Sequence, residues 1–418
     1  MTLRLYNEQT EQLETFEPLE TPVKIYVCGI TPYDTTHLGH AFTYLSFDVL
    51  IRYLEYLGYP VRYVQNVTDI DDDILRKSQE VGEDWLTLGN RWTRHFIEDM
   101  QALNVRPPDV YPRATEVIPQ MFPAIQTLID KGYAYVADGN VYYHVAANPD
   151  FGQVSKLPRE QWLPIANERG NIPDDPHKRD PLDFVLWQAQ KPGEPAWESP
   201  WGKGRPGWHI ECTVMALTYL GQVIDIHGGG ADLSFPHHEC ETAQACGVTG
   251  KPLFAHFWMH TAMVRYEGEK MSKSLGNLVW ARDLLREHSA DAVRILVNRH
   301  PYYETWEYTD KELPAADALA DKLLQAARVE GGRGTELSPE EAIVALEEAL
   351  NDNLNTCQAL AALEDLAERI LTAARRGQAV HEAQKALHKL GGIFGLRLGK
   401  EIEPRVRQGW QTHYQKFL

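Results

Sequence analysis

Four side chains of the kinds that bind zinc occur in two distant parts of the chain, at Cys28, Cys212, His237 and Glu241. Both cysteines follow apolar runs that are typical of strands, and His237 and Glu241 are spaced to share one face of a helix. Two thiolates, one imidazole and one carboxylate are a suitable ligand set for a zinc ion. Buried cysteines and core histidines are common, so ordinary packing stays open as the alternative for these four residues taken alone.

Two further motifs have the properties of a site for ATP. The segment 37–40, His-Leu-Gly-His, follows a predicted strand and opens a predicted helix, where backbone amides attract phosphate and a glycine lets a flat base approach. The segment 270–274, Lys-Met-Ser-Lys-Ser, carries two ammonium groups that could neutralise charge on a leaving pyrophosphate. Either motif alone arises by chance on surfaces, but together they indicate an ATP site. The residues assigned to it are His37, Gly39, His40, Lys270, Ser272 and Lys273, and its histidines and lysines are the candidate catalytic residues.

Composition restricts the class of protein. The chain has 418 residues, of which 43% are apolar and 24% are charged, as in ordinary globular proteins of several domains. Its net charge of −18 argues against broad, non-specific binding of nucleic acid. The segment 375–418 is an exception, with nine Lys or Arg against three Glu. This segment is interpreted as a solvated helical face with a docking tail, and an RNA contact is the alternative.

The cysteines and the apolar runs indicate where the protein works. Five cysteines at irregular spacing argue against a disulfide framework and favour a reducing, cytoplasmic environment. No secretory pattern begins the sequence, and no apolar run is long enough to span a bilayer. We therefore expect a cytoplasmic protein without a membrane partner.

Periodicity divides the chain into four regions. In the first, residues 1–140, a strand at 23–27, an amphipathic helix from Gly39 to Gly58 and a strand at 61–67 form a βαβ unit, which predicts a parallel sheet. Residues 141–205 are rich in proline and poor in periodicity, which indicates an inserted connective subdomain. Strand signals resume over 206–311, and residues 312–418 have a helical pattern.

With these motifs in place, the chain resembles the class I aminoacyl-tRNA synthetases, and specifically the cysteinyl family. The match runs from about residue 3 to about residue 398. It implies an α/β fold with a Rossmann-type parallel-sheet core, an inserted subdomain and a C-terminal helical domain. It also implies one bound zinc ion, Mg²⁺ with ATP, and formation of cysteinyl adenylate. The segments that carry the resemblance are 26–34, 37–40, 68–72, 207–212, 225–230, 235–239 and 270–277.

A zinc ion suits selection of cysteine, because zinc binds a thiolate readily whereas an apolar pocket hardly distinguishes sulfur from oxygen. By resemblance, Asp232 would bind the ammonium group of the amino acid, and a role in a turn is the alternative. For Trp208 the alternative is a core aromatic residue. The residues that the resemblance assigns to the cysteine or its adenylate are Gly29, Thr31, Thr43, Asn66, Thr68, Trp208, Gly230, Asp232 and Val264.

Two branches of this family differ in the group that accepts the cysteine. One transfers it to tRNA-Cys, and the other to the amine of a glucosaminyl-inositol in mycothiol-type thiol biosynthesis. Segments 30–40, 44–48, 64–69 and 168–171 are similar to the second branch, and Asp73 replaces a lysine that is usual in tRNA-charging members. No anticodon-binding module is evident after the helical region.

Glu241 and His227, in contrast, are more like the tRNA-charging enzymes. We therefore predict the aminosugar-inositol as acceptor and keep tRNA-Cys as the alternative. An inactive relative that only binds RNA or a partner is a third hypothesis. The intact histidines and lysines of the two ATP motifs count against it.

Overall fold

The computed structural model of the chain describes residues 2–34, 36–271 and 275–418. The chain begins with an antiparallel hairpin of β1 (Arg4–Asn7) and β2 (Gln12–Thr15). The predicted βαβ unit follows as β3 (Val23–Ile30), α1 (Leu38–Tyr56) and β4 (Val61–Val67). Its strands pair in parallel, with Ile25 beside Tyr63.

The boundaries of α1 follow from the residues at its two ends. At the N-terminus, Nδ1 of His37 accepts a hydrogen bond from the backbone N–H of His40, which caps the first turn. At the C-terminus, Gly58 has a φ of +90°, a conformation that glycine adopts without strain and that stops the helix. The predicted stop at Gly58 is therefore confirmed.

Three helices then cover one end of the sheet. Within this stretch, residues 110 and 113 form single parallel bridges with Val64 and Val67, which continues the sheet beyond β4. The helices are α2 (Asp72–Val81), α3 (Trp85–Ala102) and α4 (Ile118–Asp130).

A separate antiparallel sheet occupies the middle of the chain, where the sequence predicted an insertion over 141–205. Its four strands pair in chain order, and α5 (Arg159–Glu168) lies between the second and the third. The predicted domain boundaries as such stay predictions. The strands are β5 (Ala134–Ala137), β6 (Asn140–Tyr143), β7 (Phe184–Ala189) and β8 (Gly204–Pro206).

The second half of the core returns to the parallel sheet. The order of the four strands in space is β10-β9-β3-β4, so the first strand of the βαβ unit lies in the middle. This arrangement confirms the predicted α/β class with a parallel-sheet core. The carboxyl ends of the four parallel strands lie at the same edge of the sheet, and ligands usually bind at this edge of such sheets. The new elements are α6 (Trp208–Leu220), β9 (Ile224–Gly230), α7 (Glu239–Thr249) and β10 (Ala255–Thr261).

A small three-stranded sheet connects the core to the C-terminal region. Its strands have the order β12-β11-β13, and the second ATP motif begins at the end of β12. The elements are β11 (Val264–Tyr266), β12 (Glu269–Lys270), α8 (Ala281–Glu287), α9 (Ala290–Asn298) and β13 (Trp306–Glu307).

The C-terminal region is helical, as predicted. A buried ion pair attaches it to the core, because Arg294 contacts Asp48 of α1 and donates to the backbone oxygen of Phe394. In the part of the chain that the structure describes, none of the helices is apolar over a stretch sufficient to cross a bilayer. The helices are α10 (Leu313–Arg328), α11 (Glu340–Asn351), α12 (Thr356–Arg375), α13 (His381–Ile393) and α14 (Pro404–Gln415).

The basic tail docks on the core through its aromatic residues. Trp410 and Phe417 are buried, and the indole N–H of Trp410 donates to the backbone oxygen of Val105 at 2.8 Å. His413 makes a similar contact with the backbone oxygen of Pro108 at 2.8 Å. These contacts support the interpretation of a docking tail.

Candidate active site

The four predicted metal ligands, Cys28, Cys212, His237 and Glu241, meet at one buried position. This group of four side chains is called the metal cluster below. The sulfur of Cys28 lies 3.9 Å from that of Cys212 and 3.5 Å from Oε1 of Glu241. The same oxygen lies 3.0 Å from Nε2 of His237. All the donor atoms lie within 4.8 Å of one another, which is close enough for one ion to bind them together.

These ligands come from four different elements. Cys28 lies inside β3, two residues before its end, and not after the strand as predicted. Cys212 lies on α6, so the strand predicted before it is wrong: the apolar run 208–216 is a helix buried on nearly all sides, which a short apolar pattern does not distinguish from a strand. His237 belongs to the helical turn Ser234–His238, and Glu241 to the first turn of α7.

The electrostatics of the cluster suit a divalent cation. Burial raises the pKa of Glu241, but the charges and hydrogen bonds of His227 and His237 outweigh it and lower the pKa to about 2. Burial likewise opposes ionisation of Cys212, yet the hydrogen bond from Cys28 and the charge of His237 bring its pKa down to about 7. The charge of His237, whose pKa Glu241 and Cys212 raise to about 10 against the effect of burial, supplies the compensation for these anions, whereas burial and the neighbouring groups raise the pKa of Cys28. A divalent cation at the same position would replace the proton of His237 and favour both thiolates. The donor set therefore fits zinc.

Two histidines that the sequence analysis did not assign hold the ligands in orientation. Nδ1 of His209 lies 2.8 Å from Nδ1 of His237, which leaves Nε2 of His237 directed at the cluster. Nε2 of His227 lies 3.0 Å from Oε2 of Glu241. Partners of this kind fix the tautomer and the ring orientation of metal ligands. His209 follows Trp208 in a segment that carried the resemblance, which is the only signal that could have identified it.

A third unassigned histidine extends the cluster inward. Nε2 of His238 lies 3.2 Å from the sulfur of Cys28, and Nδ1 lies 2.6 Å from Nε2 of His260. Together with His227, His238 forms a second possible ligand set that shares Cys28 and Glu241 with the first. The first set faces the cavity described next, because Cys28, Cys212 and His237 line it and His227 and His238 do not.

A cavity of about 560 Å³ opens beside the metal cluster at the carboxyl ends of the strands. Asn66 and Glu241 do not line it, and Ser272 and Lys273 lie outside the described residues. The predicted site residues that line it are Cys28, Gly29, Thr31, His37, Gly39, His40, Thr43, Thr68, Trp208, Cys212, Gly230, Asp232, His237, Val264 and Lys270.

Both ATP motifs contribute described residues to the wall of this cavity, namely His37, Gly39 and His40 from the first and Lys270 and Met271 from the second. The rings of His37 and His40 stack with their centroids 3.8 Å apart. The backbone N–H of Leu38 donates to the oxygen of Val279 at 2.7 Å, so the chain just after the second motif is tied to the first. Lys270 reaches the cavity from β12.

Asn66 does not line the cavity but holds two residues that do, Gly29 and Thr68, through hydrogen bonds. Its Oδ1 accepts a hydrogen bond from the backbone N–H of Gly29 at 2.8 Å, and its Nδ2 donates to Thr68 at 3.1 Å. A Cβ atom on Gly29 would lie 1.6 Å from the backbone oxygen of Asn66, so only glycine fits there. Asn66 thus positions two cavity residues without lining the cavity itself.

Trp208 and Asp232 both line the cavity. The ring of Trp208 stacks on His237 with the centroids 4.3 Å apart and the planes at 17°, so it packs on the metal cluster and also lines the cavity. Oδ2 of Asp232 lies 3.8 Å from Nζ of Lys270 and 3.5 Å from Nη1 of Arg169.

Twelve residues that line the cavity were not among the predicted site residues, and Tyr33, Asp73, Arg76 and Arg169 are four of them. Tyr33 donates from its hydroxyl to Asp73 at 3.1 Å, and Arg76 pairs with the same carboxylate at 2.6 Å. Arg169 comes from the inserted region. Tyr33 and Arg169 occur in segments used for the resemblance, but nothing in the sequence indicated that they reach the site.

Comparison with known proteins identifies relatives along most of the chain. A cysteine–tRNA ligase of Dehalococcoides mccartyi is 44% identical over 400 residues, which cover 95% of this chain and 87% of the relative. A cysteine–tRNA ligase of Cronobacter sakazakii is 42% identical over 415 residues, which cover 98% and 88%. These relatives contradict the predicted aminosugar-inositol acceptor and mycothiol-type biosynthesis, which are wrong. Several residues of segments 30–40 and 64–69 line the cavity, among them Thr31, His37 and Thr68, so the likeness in these segments does not report on the acceptor.

Solved structures support the fold. Methionyl-tRNA synthetase of Mycobacterium tuberculosis in complex with methionyl-adenylate superposes with a TM-score of 0.61 at 16% identity, covering 95% of this chain and 93% of that one. A leucyl enzyme of Agrobacterium radiobacter, solved as a ternary complex with tRNA, gives a TM-score of 0.63 at 12% identity, covering 96% and 86%. At such identities the likeness concerns the fold alone.

Two family models match the chain itself. The catalytic domain of class I (C) tRNA synthetases matches residues 15–318, and the DALR domain matches residues 345–399. The first covers both halves of the parallel sheet, the inserted region and the metal cluster, and the second covers α12 and α13. Together with the relatives above, these matches show that the chain belongs to the class I cysteinyl-tRNA synthetase family of ATP-dependent, AMP-forming ligases.

Proposed function

We propose that this chain joins L-cysteine to tRNA-Cys in two steps. In the first step, the carboxylate of cysteine attacks the α-phosphate of ATP, a P–O bond forms, and pyrophosphate leaves. In the second step, a ribose hydroxyl at the 3′ end of the tRNA attacks the activated carbonyl, an ester forms, and AMP leaves. The names of the relatives described above support this acceptor.

One observation carries the choice of cysteine: three of the four clustered ligands, Cys28, Cys212 and His237, line the same cavity as residues of both ATP motifs, among them His37, His40 and Lys270. An amino acid bound there could direct a short side chain at the cluster and its carboxylate at the nucleotide. Because three of the four ligands line the cavity, a substrate sulfur could approach the bound ion as an additional ligand, which favours a role in recognising the substrate.

The same four residues would hold the zinc ion, with His209 and His227 orienting two of them. Bound zinc would supply a preference for a thiol over a hydroxyl by favouring the thiolate form of the substrate. Asp232 would accept hydrogen bonds from the ammonium group of cysteine. Trp208, stacked on His237, would limit the length of side chain that the pocket accepts.

The ATP end of the cavity acts through position and charge. The N-terminus of α1 and the rings of His37 and His40 would bind phosphate oxygens, and Lys270 would offset the charge on the leaving pyrophosphate. We expect Mg²⁺ to accompany ATP. The assignment of Ser272 and Lys273 to the nucleotide stays a prediction, as does a cytoplasmic location.

The proposal is tested by two assays on the zinc-loaded protein. Exchange of pyrophosphate into ATP should depend on cysteine and should not proceed with serine, because serine offers no thiol to the cluster. Transfer of labelled cysteine should then occur to tRNA-Cys and not to a tRNA for another amino acid. Lys270→Ala should slow the exchange by about 100-fold, whereas Lys251→Ala, an exposed lysine that does not line the cavity, should not change it.

Each result against the proposal points to a different step. Exchange that is equally fast with serine would contradict the role of the metal cluster. Normal exchange without transfer to tRNA-Cys would contradict the acceptor. Absence of both activities would favour the third hypothesis of the sequence analysis, an inactive relative that only binds.

A further inference from the structure

Arg169 brings a positive charge from the inserted region into the cavity. It follows directly after α5, and its side chain, 30% exposed, lines the cavity. None of the predicted site residues comes from this inserted region. Among residues 141–205, all of which the structure describes, Arg169 is the one that lines the cavity.

The position of Arg169 is held by packing on both sides. On α5, Trp162 and Ala166 pack against Phe235, which belongs to the turn that also carries His237. After the helix, Asn171 donates from its backbone N–H to the oxygen of Ala166 at 3.1 Å. The backbone at Arg169 is therefore held beside the turn that carries His237.

The hydrogen-bonding capacity of Arg169 is largely unused. A guanidinium has five N–H donors in a planar fork. Nη1 makes one long contact of 3.5 Å with Asp232, and Nε is buried and has no partner among the residues that the structure describes. Burying a charged donor without an acceptor is unfavourable, so the arrangement indicates that a ligand supplies the acceptor.

The neighbours of Arg169 identify the chemistry of that acceptor. Among the described residues, Asp232 is the one carboxylate within 4.0 Å of the guanidinium of Arg169, and the same oxygen also lies 3.8 Å from Nζ of Lys270. If Asp232 binds the ammonium group of an amino acid, the carboxylate of that amino acid lies on the adjacent bond. The guanidinium of Arg169, 3.5 Å from Asp232, would then lie close enough to bind this carboxylate.

We infer that Arg169 is an oxyanion-binding residue that receives the carboxylate of cysteine and holds it for attack on ATP. This inference rests on the proposed function and adds a residue to it. The guanidinium would offset the repulsion between two anions, the carboxylate and the triphosphate, that must approach each other. A phosphate at the 3′ end of the tRNA has the same chemistry and is the other source of an oxyanion at this position.

The test compares three variants of the zinc-loaded protein. Arg169→Ala removes the charge and the fork, and Arg169→Lys keeps the charge alone. Arg159→Ala is the matched control, because Arg159 lies exposed at the other end of the same helix and does not line the cavity. For each variant, pyrophosphate exchange gives the KM for cysteine and for ATP, and a separate assay gives transfer to tRNA-Cys. Zinc content and Tm are measured on the same samples.

We expect Arg169→Ala to raise the KM for cysteine by about 10- to 100-fold, the loss typical of one charge-assisted hydrogen bond. The KM for ATP, the zinc content and the Tm should stay as in the unchanged protein. Arg169→Lys should recover part of the loss, and free guanidinium ions at millimolar concentration should restore part of the exchange in Arg169→Ala. A residue with a merely structural role would respond to neither.

Four results are decisive. Unchanged exchange and unchanged transfer in Arg169→Ala would overturn the inference, as would a loss that free guanidinium and Arg169→Lys both leave uncorrected. Unchanged exchange with a raised KM for tRNA-Cys would assign the oxyanion to the tRNA. Failure of the unchanged protein to activate cysteine would contradict the proposed function itself, so the two failures are distinguishable.

Discussion

The sulfur atoms of Cys28 and Cys212 lie 3.9 Å apart, although 184 positions separate the two residues in the chain. One comes from the central strand β3 and the other from α6, so the contact exists only when both halves of the parallel sheet are assembled. The inserted antiparallel sheet separates these halves in the sequence but not in space. Binding of a metal at this contact therefore couples the two halves of the core.

Cys212→Ser should remove zinc and activation of cysteine together. A hydroxyl is a poorer zinc ligand than a thiolate, so we expect substoichiometric zinc after dialysis and a parallel loss of pyrophosphate exchange. Cys240→Ser is the control, since Cys240 is equally buried but belongs to neither possible ligand set. Full activity of Cys212→Ser without metal would contradict the zinc site.

Glu241 and Glu239 are both buried on α7, but they have different hydrogen-bond partners. We therefore expect Glu→Gln to affect zinc binding at position 241 and stability at position 239. Glu241→Gln should weaken zinc affinity by at least about tenfold, because it replaces a charged ligand with a neutral amide. Glu239 accepts four backbone N–H groups, from residues 152 to 155, so Glu239→Gln should lower the Tm and leave zinc bound. Chelator competition and thermal unfolding separate the two outcomes. Unchanged zinc affinity in Glu241→Gln would make Glu241 a neighbour and not a ligand.

We expect the raised pKa of Asp71 to lower the free energy of unfolding as the pH rises. Burial, together with the charges of Asp73 and Asp72, raises its pKa from 3.8 to about 6 even though its carboxylate caps α2. Between these values the folded protein keeps a proton that the unfolded chain has lost, so the free energy of unfolding falls as pH rises through this window. Above pH 6 the loss is of the order of 3 kcal/mol.

Asp71→Asn keeps a capping side chain without the charge. The variant should therefore have a higher Tm than the unchanged protein at pH 7, and the difference should disappear near pH 4. Asp84→Asn is the matched control, because Asp84 caps α3 from an exposed position. Equal Tm differences at both pH values would show that the charge of Asp71 has no such effect.

Trp410→Ala should destabilise the protein without affecting the chemistry. The indole is fully buried and donates one hydrogen bond to the core, so we expect a loss of about 3–5 kcal/mol in the free energy of unfolding. Thr412→Ala, an exposed change on the same helix, should cost much less. Denaturant unfolding and pyrophosphate exchange at 25 °C measure the two effects. A large fall in exchange with little loss of stability would assign the tail a role in function instead of docking.

Several features followed from local sequence. The alternation in 23–27, the helical stripe after Gly39 and the stop at Gly58 predicted β3, α1 and β4, because strand and helix periodicity are properties of neighbouring residues. The residue types at the metal cluster and in the ATP motifs were also readable, since their chemistry does not depend on the fold. The acceptor was predicted wrongly, because segments used for that prediction contribute to the cavity beside the metal cluster and do not report on the acceptor.

The spatial relationships were decided by the tertiary structure alone. That Cys212 lies on a helix, that His209, His227 and His238 surround the metal ligands, and that Arg169 reaches Asp232 all depend on packing between elements far apart in the chain. A sequence pattern records what lies a few residues away, whereas these contacts arise when strands join in one sheet and helices pack on it. The sequence by itself thus determined the kinds of groups available and the elements that carry them. Only the folded chain determined which of those groups meet, which line the cavity and which remain behind it.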